Sequence, residues 1–212
     1  MIKFREKITP VLLQTDQISV FLPILTKGFG MLHGEATTVH DFLTRELELE
    51  EQYIENRIQT IFLNGKAVDN IKTAGLSDGD TLALSAAMPG LVGATFRRGG
   101  RYAAMRQNVS HTTSFSSLPD ETKTIILKLF NLIAKEIGPG LLERGIHIQG
   151  SDLILLLKNQ PENFWQGCKV FVDGRSAAKE SLLDYCLENN ILLLRVTTSF
   201  GSTLADQAWK RF

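Results

Sequence analysis

The sequence has few of the features that mark secreted, membrane or disordered proteins. Only two of its 212 residues are cysteine, Cys168 and Cys186, too few for the disulfide framework of a small secreted protein. The composition is 43% hydrophobic, which excludes bulk disorder. No apolar run approaches the roughly 20 residues that span a bilayer. Charges at Lys3, Arg5 and Glu6 interrupt the start before a signal-peptide core forms. We therefore expect a cytoplasmic protein with no membrane segment.

The chain also lacks an excess of charge of either sign. Its 23 basic and 23 acidic side chains give a formal net charge of zero. A protein dedicated to nucleic acid or to an acidic membrane surface usually carries a strong long-range field. Nucleic acid is therefore not an expected partner, and any contact with an anionic molecule must depend on a local patch.

One short pattern occurs in both halves of the chain. The copies comprise residues 61–67 followed by 80–84, and residues 170–176 followed by 190–194. In each copy an apolar run rich in β-forming residues meets a turn, Asn64-Gly65 or Asp173-Gly174, and an apolar strand returns after a polar segment. Both an ancestral duplication and the chance likeness of two strand–turn–strand units account for this pattern.

The first half predicts a hairpin, a helix and two further strands. The hairpin joins residues 2–13 to residues 18–25. Thr38 and Asp41 resemble a capping box and predict that the helix starts near Val39. The later strands are expected at 58–63 and 81–85. This order of elements is that of a ubiquitin-like β-grasp.

The segment from Met88 to Arg106 interrupts this pattern and is followed by a Ser- and Thr-rich stretch. We therefore predict an α+β protein with a β-grasp domain over 1–106, a linker over 107–118 and a second small α/β domain over 119–212. The second domain is predicted to begin with an amphipathic helix opened by Ser117 and Asp120 and ending at Gly138. Further elements are expected as strands at 145–149, 153–157, 170–172 and 191–197, a helix at 178–189 and a terminal helix capped by Ser202. A helix starting at Ser151 is the competing interpretation of 153–157.

The first half resembles the β-grasp sulfur carriers, namely the small subunit of molybdopterin synthase and the thiamine sulfur carrier. The resemblance covers roughly residues 1 to 90 and is clearest over 61–85, where an Asn-Gly turn precedes Leu76-x-Asp78-Gly79-Asp80. In that family a flexible tail ends in Gly-Gly, and adenylation of its terminal carboxylate allows sulfur transfer. Here Gly99-Gly100 follows the predicted final strand, but residues 101–212 follow Gly100. The resemblance implies sulfur-carrier chemistry only if the chain is cleaved after Gly100.

The Gly- and Arg-rich segment is the candidate site for a ligand or partner. Its candidate residues are Arg97, Arg98, Gly99, Gly100, Arg101 and Tyr102. Glycine lets a backbone approach a ligand closely, arginine offers forked donors to phosphate or carboxylate, and tyrosine can stack on a ring. In the structural alternative, the arginines pair with the acidic run over 46–51. The apolar residues within the segment, Phe96 among them, are expected to be packed.

No other cluster indicates catalysis or metal binding. His33, Glu35, His40 and Asp41 lie close in sequence, but their spacing matches no metal-binding motif. Cys168 has no neighbouring base, and the chain contains neither a P-loop nor a Gly-x-Ser-x-Gly elbow. We expect no catalytic residue, no metal and no cofactor.

These observations favour a non-enzymatic binding or adaptor protein built on a ubiquitin-like β-grasp. The expected partner is another protein, and a phosphate-bearing small ligand is the second kind of partner considered. Two alternatives stay open: a sulfur carrier or protein modifier matured by cleavage after Gly100, and an anionic-ligand binder or enzyme that uses the Gly- and Arg-rich segment.

Overall fold

A computed structural model describes residues 8, 10–34, 38–87, 90–98 and 123–198. The chain divides into two compact units that are discontinuous in sequence. Unit 1 comprises Met1–Ile2 and Gly30–Glu136, and unit 2 comprises Lys3–Phe29 and Ile137–Phe212. Both units combine helices with a mixed sheet, so the α+β class is confirmed. The predicted linker over 107–118 lies outside the described residues, and the predicted domain ranges stay a prediction.

The described elements are short strands and short helices. The strands are β1 Pro10–Gln14, β2 Phe29–His33, β3 Thr60–Leu63, β4 Lys66–Ala67, β5 Thr81–Ser85, β6 Lys123–Phe130, β7 Ile146–Gln149, β8 Lys169–Val172, β9 Arg175–Ser176 and β10 Ile191–Thr197. The helices are α1 Leu22–Lys27, α2 Val39–Asp41, α3 Glu51–Asn56, α4 Gly90–Phe96, α5 Asn131–Glu136, α6 Gly138–Arg144, α7 Gly150–Leu157, α8 Glu162–Gln166 and α9 Lys179–Glu188. A 3-10 helix over Ile18–Phe21 precedes α1, and a π-helical turn over Phe42–Glu46 continues α2.

The sheet of unit 1 has the strand order β4-β3-β5-β6-β2. Strand β3 is antiparallel to both β4 and β5, whereas β5 runs parallel to β6. One face of these strands is fully buried. Side chains alternate between the two faces of a strand, and the buried ones are Ile61 and Leu63 on β3, Leu82 and Leu84 on β5, and residues 125, 127 and 129 on β6. The residues between them form the second face, which is only partly covered.

The sheet of unit 2 has the strand order β7-β10-β1-β8-β9. Its central strands β1 and β10 are parallel, and each has an antiparallel neighbour, β8 and β7 respectively. Val11, Leu12 and Leu13 are all buried, so β1 is covered on both faces.

Several sequence predictions are confirmed. Thr38 caps α2 in a complete capping box with Asp41. Strands β3, β5, β7, β8 and β10 and helix α9 lie where the sequence predicted them. Both turns of the repeated pattern also form, and Asn64, Gly65, Asp173 and Gly174 all have positive φ, as a two-residue hairpin turn of this kind needs.

The predicted hairpin at the start of the chain is wrong. Residues 18–25 form the 3-10 helix and part of α1 instead of a strand. Pro23 lies in the first turn of α1, where its fixed φ suits a helix and its missing N–H costs nothing. The strand β1 pairs with β8 and β10, which are distant in sequence. A ubiquitin-like arrangement is therefore not confirmed.

The predicted amphipathic helix that Ser117 and Asp120 would open is also wrong over 123–130, which form β6. The apolar residues at 125, 126, 129, 130 and 133 fit a helical period, but 125, 127 and 129 also fit a strand. Pairing with β5 decides between them, and the helix begins only at Asn131. Residues 117 and 120 lie outside the described residues, as does the terminal helix predicted from Ser202.

Residues 153–157 were predicted as a strand with a helix as the competing interpretation, and the helix is the structure observed. Helix α7 begins at Gly150 and buries Leu153 and Leu157 on one side. Residues four apart lie on the same face of a helix and also on the same face of a strand, so the spacing of these leucines did not distinguish the two structures.

Candidate functional site

The structure places two of the six predicted site residues, Arg97 and Arg98. Arg97 is exposed. Arg98 is half-buried: its backbone N–H donates to the Gln59 carbonyl at 2.8 Å, and its guanidinium donates to the Ile54 carbonyl at 3.2 Å. Gly99, Gly100, Arg101 and Tyr102 lie outside the described residues, so the Gly- and Arg-rich site stays a prediction.

Electrostatics around Arg98 are those of a packed side chain. Burial lowers the pKa of Arg98, and the carboxylates of Glu55 and Glu51 act in the opposite direction. Its contact with the backbone of α3 ties the end of the α4 segment to unit 1. Arg98 therefore helps to hold unit 1 together through backbone carbonyls, and the sequence alternative in which the arginines pair with the acidic run over 46–51 stays a prediction.

A trough of about 450 Å³ lies on the partly covered face of the unit 1 sheet. Its floor is β5, where Thr81, Ala83 and Ser85 are the small residues of that face. The residues that line it are Phe62, Gly65, Thr81, Ala83, Ser85, Lys128, Phe130 and Asn131. We call it the β5 trough.

Side-chain size explains why the β5 trough exists. Ala83 pairs with Phe62 on β3 and with Lys128 on β6, and Ser85 pairs with Phe130. Directly paired residues lie on the same face of a sheet, so a row of small side chains runs between two rows of larger ones. The floor from Thr81 to Ser85 is about 13 Å long, from the rise per residue of a strand.

An aromatic pair forms the wall on the β3 side. The rings of Phe62 and Phe96 lie 5.2 Å apart between centroids and are tilted by 54°. Phe96 ends α4 and is half-buried, which confirms the expectation that it is packed. This contact anchors α4 beside β3 and fixes the position of the Phe62 ring.

Polar groups form one end of the trough. Asn131 has a positive φ of 55° at the junction of β6 and α5, a conformation that asparagine tolerates. Its side-chain amide donates a hydrogen bond of 3.0 Å to Ser85 Oγ. The Ser85 hydroxyl is the acceptor of this bond, and it also carries one O–H donor.

The residues that carry the sulfur-carrier resemblance hold the other end of the trough in place. Asn64 Nδ2 donates to Asp80 Oδ1 at 2.7 Å, and Asn64 Oδ1 accepts from the Thr81 N–H at 2.9 Å. Asp80 Oδ2 accepts from the Ser77 N–H, and Asp78 Oδ1 accepts from the Thr124 N–H. The motif therefore fixes the turn and the registers of β5 and β6.

A separate cluster links α3 to the end of α5. Tyr53 Oη donates to Glu136 Oε2 at 2.8 Å, and the Arg57 guanidinium donates to both oxygens of Glu136. The hydrogen bond from Arg57 lowers the pKa of Glu136, while burial and the bond to Glu136 raise the pKa of Tyr53. The carboxylate stays ionised and the phenol protonated, so the cluster acts as an ionic clamp.

The residues considered as metal ligands are occupied in other ways. His33 is buried with its ring edge to Phe42, His40 Nε2 contacts Glu51 Oε1 at 2.6 Å, and Asp41 completes the capping box. Glu35 lies outside the described residues. Across the described ranges no group of three or more His, Cys, Asp or Glu side chains could hold a metal ion.

Sequence reasoning missed the β5 trough. The available signals were the alternation of small and apolar residues over 81–85 and the second, strand-like periodicity of 123–130. The helix predicted over 123–130 gave no reason to place Lys128 and Phe130 beside β5. Only the pairing register shows that these two side chains flank the small residues of β5.

Within the described part of the chain, no helix has the length and apolar character needed to cross a membrane. Comparisons of the chain with protein-family models, with curated proteins and with solved structures gave no match.

Proposed function

We propose that this chain is a non-enzymatic binding protein whose ligand lies in the β5 trough. The observation that carries the proposal is a concave, mostly apolar surface with a few convergent polar groups. Its volume of about 450 Å³ falls within the usual range of ligand sites. The sequence expectation of a ubiquitin-like β-grasp belongs to the same proposal, supported by the hairpin of β3 and β4 and the parallel pair of β5 with β6. The cytoplasmic location and the protein partner expected of an adaptor rest on the sequence alone.

The chemistry of the described residues supports binding rather than catalysis. Burial raises the pKa of Cys168 to about 11 and that of Cys186 to about 12, so neither thiol is an activated nucleophile. Among the described residues that line the trough, Lys128 alone is ionisable. A general acid and base pair would need a second such group there.

The proposal is tested by filling the trough. Full-length protein is titrated with the neutral dye N-phenylnaphthylamine, whose fluorescence rises in an apolar site. Ala83→Leu adds a branched side chain to the middle of the floor, and we expect it to weaken dye binding about tenfold or more, from the size of steric losses in a packed site. Ala87→Leu makes the same chemical change at an exposed position outside the lining and should leave binding unchanged.

Circular dichroism of both variants shows whether each has folded. If the folded Ala83→Leu variant binds the dye as tightly as the original chain, the β5 trough is not the binding site. If Ala87→Leu weakens binding as much as Ala83→Leu does, the effect is not specific to the trough, and the proposal fails too.

A further inference from the structure

We propose that the β5 trough selects a small amphipathic anion, with an apolar ring or chain along β5 and its anionic group at Lys128. This inference rests on the proposed function and adds the chemical class of the ligand. It follows from three properties of the site: its size, the positive charge of Lys128 and the donors at its polar end.

The size of the trough favours a small molecule over a protein surface. A stable protein interface buries about 800 Å² on each partner. The floor of the trough spans only the five residues of β5, and its volume is that of a site for a single compact ligand. A flat ring or an extended chain fits along β5 between Phe62 of β3 and Phe130 of β6.

The charge of the trough favours an anion. Lys128 stands directly beside Ala83 in the pairing register, so the smallest floor residue lies next to the cation that the described part of the lining supplies. Among the described residues that line the trough none is acidic. A carboxylate or sulfonate placed there gains a charge-assisted hydrogen bond, whereas an ammonium group is repelled.

The donors at the polar end reinforce this preference. Ser85 lies two residues along β5 from Ala83 and lines the same trough. Its oxygen accepts from Asn131, and the hydroxyl keeps one O–H group as a donor. The Lys128 ammonium and the Ser85 hydroxyl can thus both donate to an oxygen of a bound anion. Phe62 and Phe130 cover the apolar part of the same ligand on opposite sides.

The test compares three compounds that share one apolar body and differ in charge: phenylbutyrate, phenylbutanol and phenylbutylamine. Each competes with N-phenylnaphthylamine on the full-length protein. We expect phenylbutyrate to displace the dye at a roughly tenfold lower concentration than phenylbutanol, which is the size of a hydrogen bond to a charged group. Phenylbutylamine should be the weakest competitor, and added salt should reduce the difference.

Variants of Lys128 then assign the preference to that residue. Lys128→Gln should make phenylbutyrate and phenylbutanol equal, Lys128→Arg should keep the preference for the anion, and Lys128→Glu should favour the amine. Lys123→Gln is the matched control, because Lys123 lies on the same strand but does not line the trough. It should leave the order of the three compounds unchanged.

The outcomes separate this inference from the proposed function. If the dye binds in an Ala83-dependent way but the three compounds compete equally, the function stands and the anionic ligand is wrong. A preference for phenylbutyrate that survives in Lys128→Gln also overturns the inference. If binding of the dye does not depend on Ala83, the proposed function itself has failed.

Discussion

The two units use one arrangement of strands and differ in what they leave open. In both, a short hairpin strand lies beside a strand that is antiparallel to a central strand, which in turn has a parallel neighbour. The matching row of paired residues is Phe62, Ala83 and Lys128 in unit 1, and Phe171, Leu12 and Arg195 in unit 2. An aromatic residue and a cation flank the centre in both rows, but the central residue is small in only one.

That central residue decides whether the face is open. Leu12 is only 3% exposed, whereas Ala83 is half-exposed on the floor of the β5 trough. In unit 2 the cation is also engaged, because Arg195 Nε donates to the Glu143 carbonyl at 3.0 Å. The two rows therefore differ in two ways: the central side chain is large in unit 2 and small in unit 1, and Arg195 of unit 2 is bonded to a backbone carbonyl.

The central strand also has a different position in the chain in each unit: β5 follows the hairpin of β3 and β4, whereas β1 precedes the hairpin of β8 and β9. The Asn64 N–H donates to the carbonyl of Thr81, the first residue of β5, and β5 follows the hairpin in the chain. The Asp173 N–H donates instead to the carbonyl of Pro10, the first residue of β1. The strand that follows the second hairpin, β10, lies one place further along the sheet. The duplication suggested by the sequence stays a prediction.

The largest expected effect comes from exchanging the central residues. Leu12→Ala removes a buried side chain and should lower the free energy of unfolding by about 2 to 5 kcal/mol, as for other leucines in closed cores. Ala83→Leu adds atoms to an open trough and should change stability by less than about 1 kcal/mol. Urea unfolding followed by circular dichroism measures both. Equal losses would contradict the view that only unit 1 is open.

Two glycines that directly follow a strand give the second contrast: Gly150 follows β7 in unit 2, and Gly34 follows β2 in unit 1. A Cβ at Gly150 would collide with the backbone carbonyl oxygens of Cys186 and Asn189, while a Cβ at Gly34 would meet nothing within 4 Å. Gly150→Ala should therefore cost about 1 to 3 kcal/mol, because the rigid backbone of α9 must move. Gly34→Ala should stay within about 0.5 kcal/mol. The same unfolding curves test this, and a stable Gly150→Ala would mean that α7 and α9 are less closely packed.

The turn residues give a smaller contrast. Asn64→Asp replaces an amide that donates to Asp80 with a second carboxylate, and should cost about 1 to 2 kcal/mol from the lost hydrogen bond and the repulsion. Asp173→Asn should cost less than about 0.5 kcal/mol, since the bond that joins this turn to β1 runs from the Asp173 N–H to the Pro10 carbonyl and is kept by the exchange. Both exchanges keep a residue that tolerates positive φ. Thermal unfolding of the two variants measures the difference.

Local signals in the sequence predicted the parts of the fold that depend on neighbours in the chain. The Asn64-Gly65 and Asp173-Gly174 turns and the Thr38 capping box each need only a few adjacent residues, and all three form. Strand pairing depends on residues far apart, so the parallel pair of β1 and β10 left no local trace.

The β5 trough depends on such long-range pairing. Its floor and its cation come from strands separated by α4 and by residues outside the described ranges. The side-chain pattern of 123–130 fits two periods equally well, and partner choice decides between them. Once the strand is known, Lys128 beside Ala83 follows from the register alone.

The smallest expected effect concerns the clamp of unit 1. Glu136→Gln removes the charge that Arg57 and Tyr53 share, and should lower the Tm at neutral pH by about 1 to 3 °C, as expected for a partly exposed cluster. The pKa of Glu136 is lower in the folded chain, so its contribution is present above its unfolded pKa of about 4.3 and is lost as the pH falls through the folded value. The Tm difference between the two proteins should therefore shrink at acid pH and at high salt. A difference that stays constant from neutral to strongly acid pH would show that Glu136 acts through packing rather than through its charge.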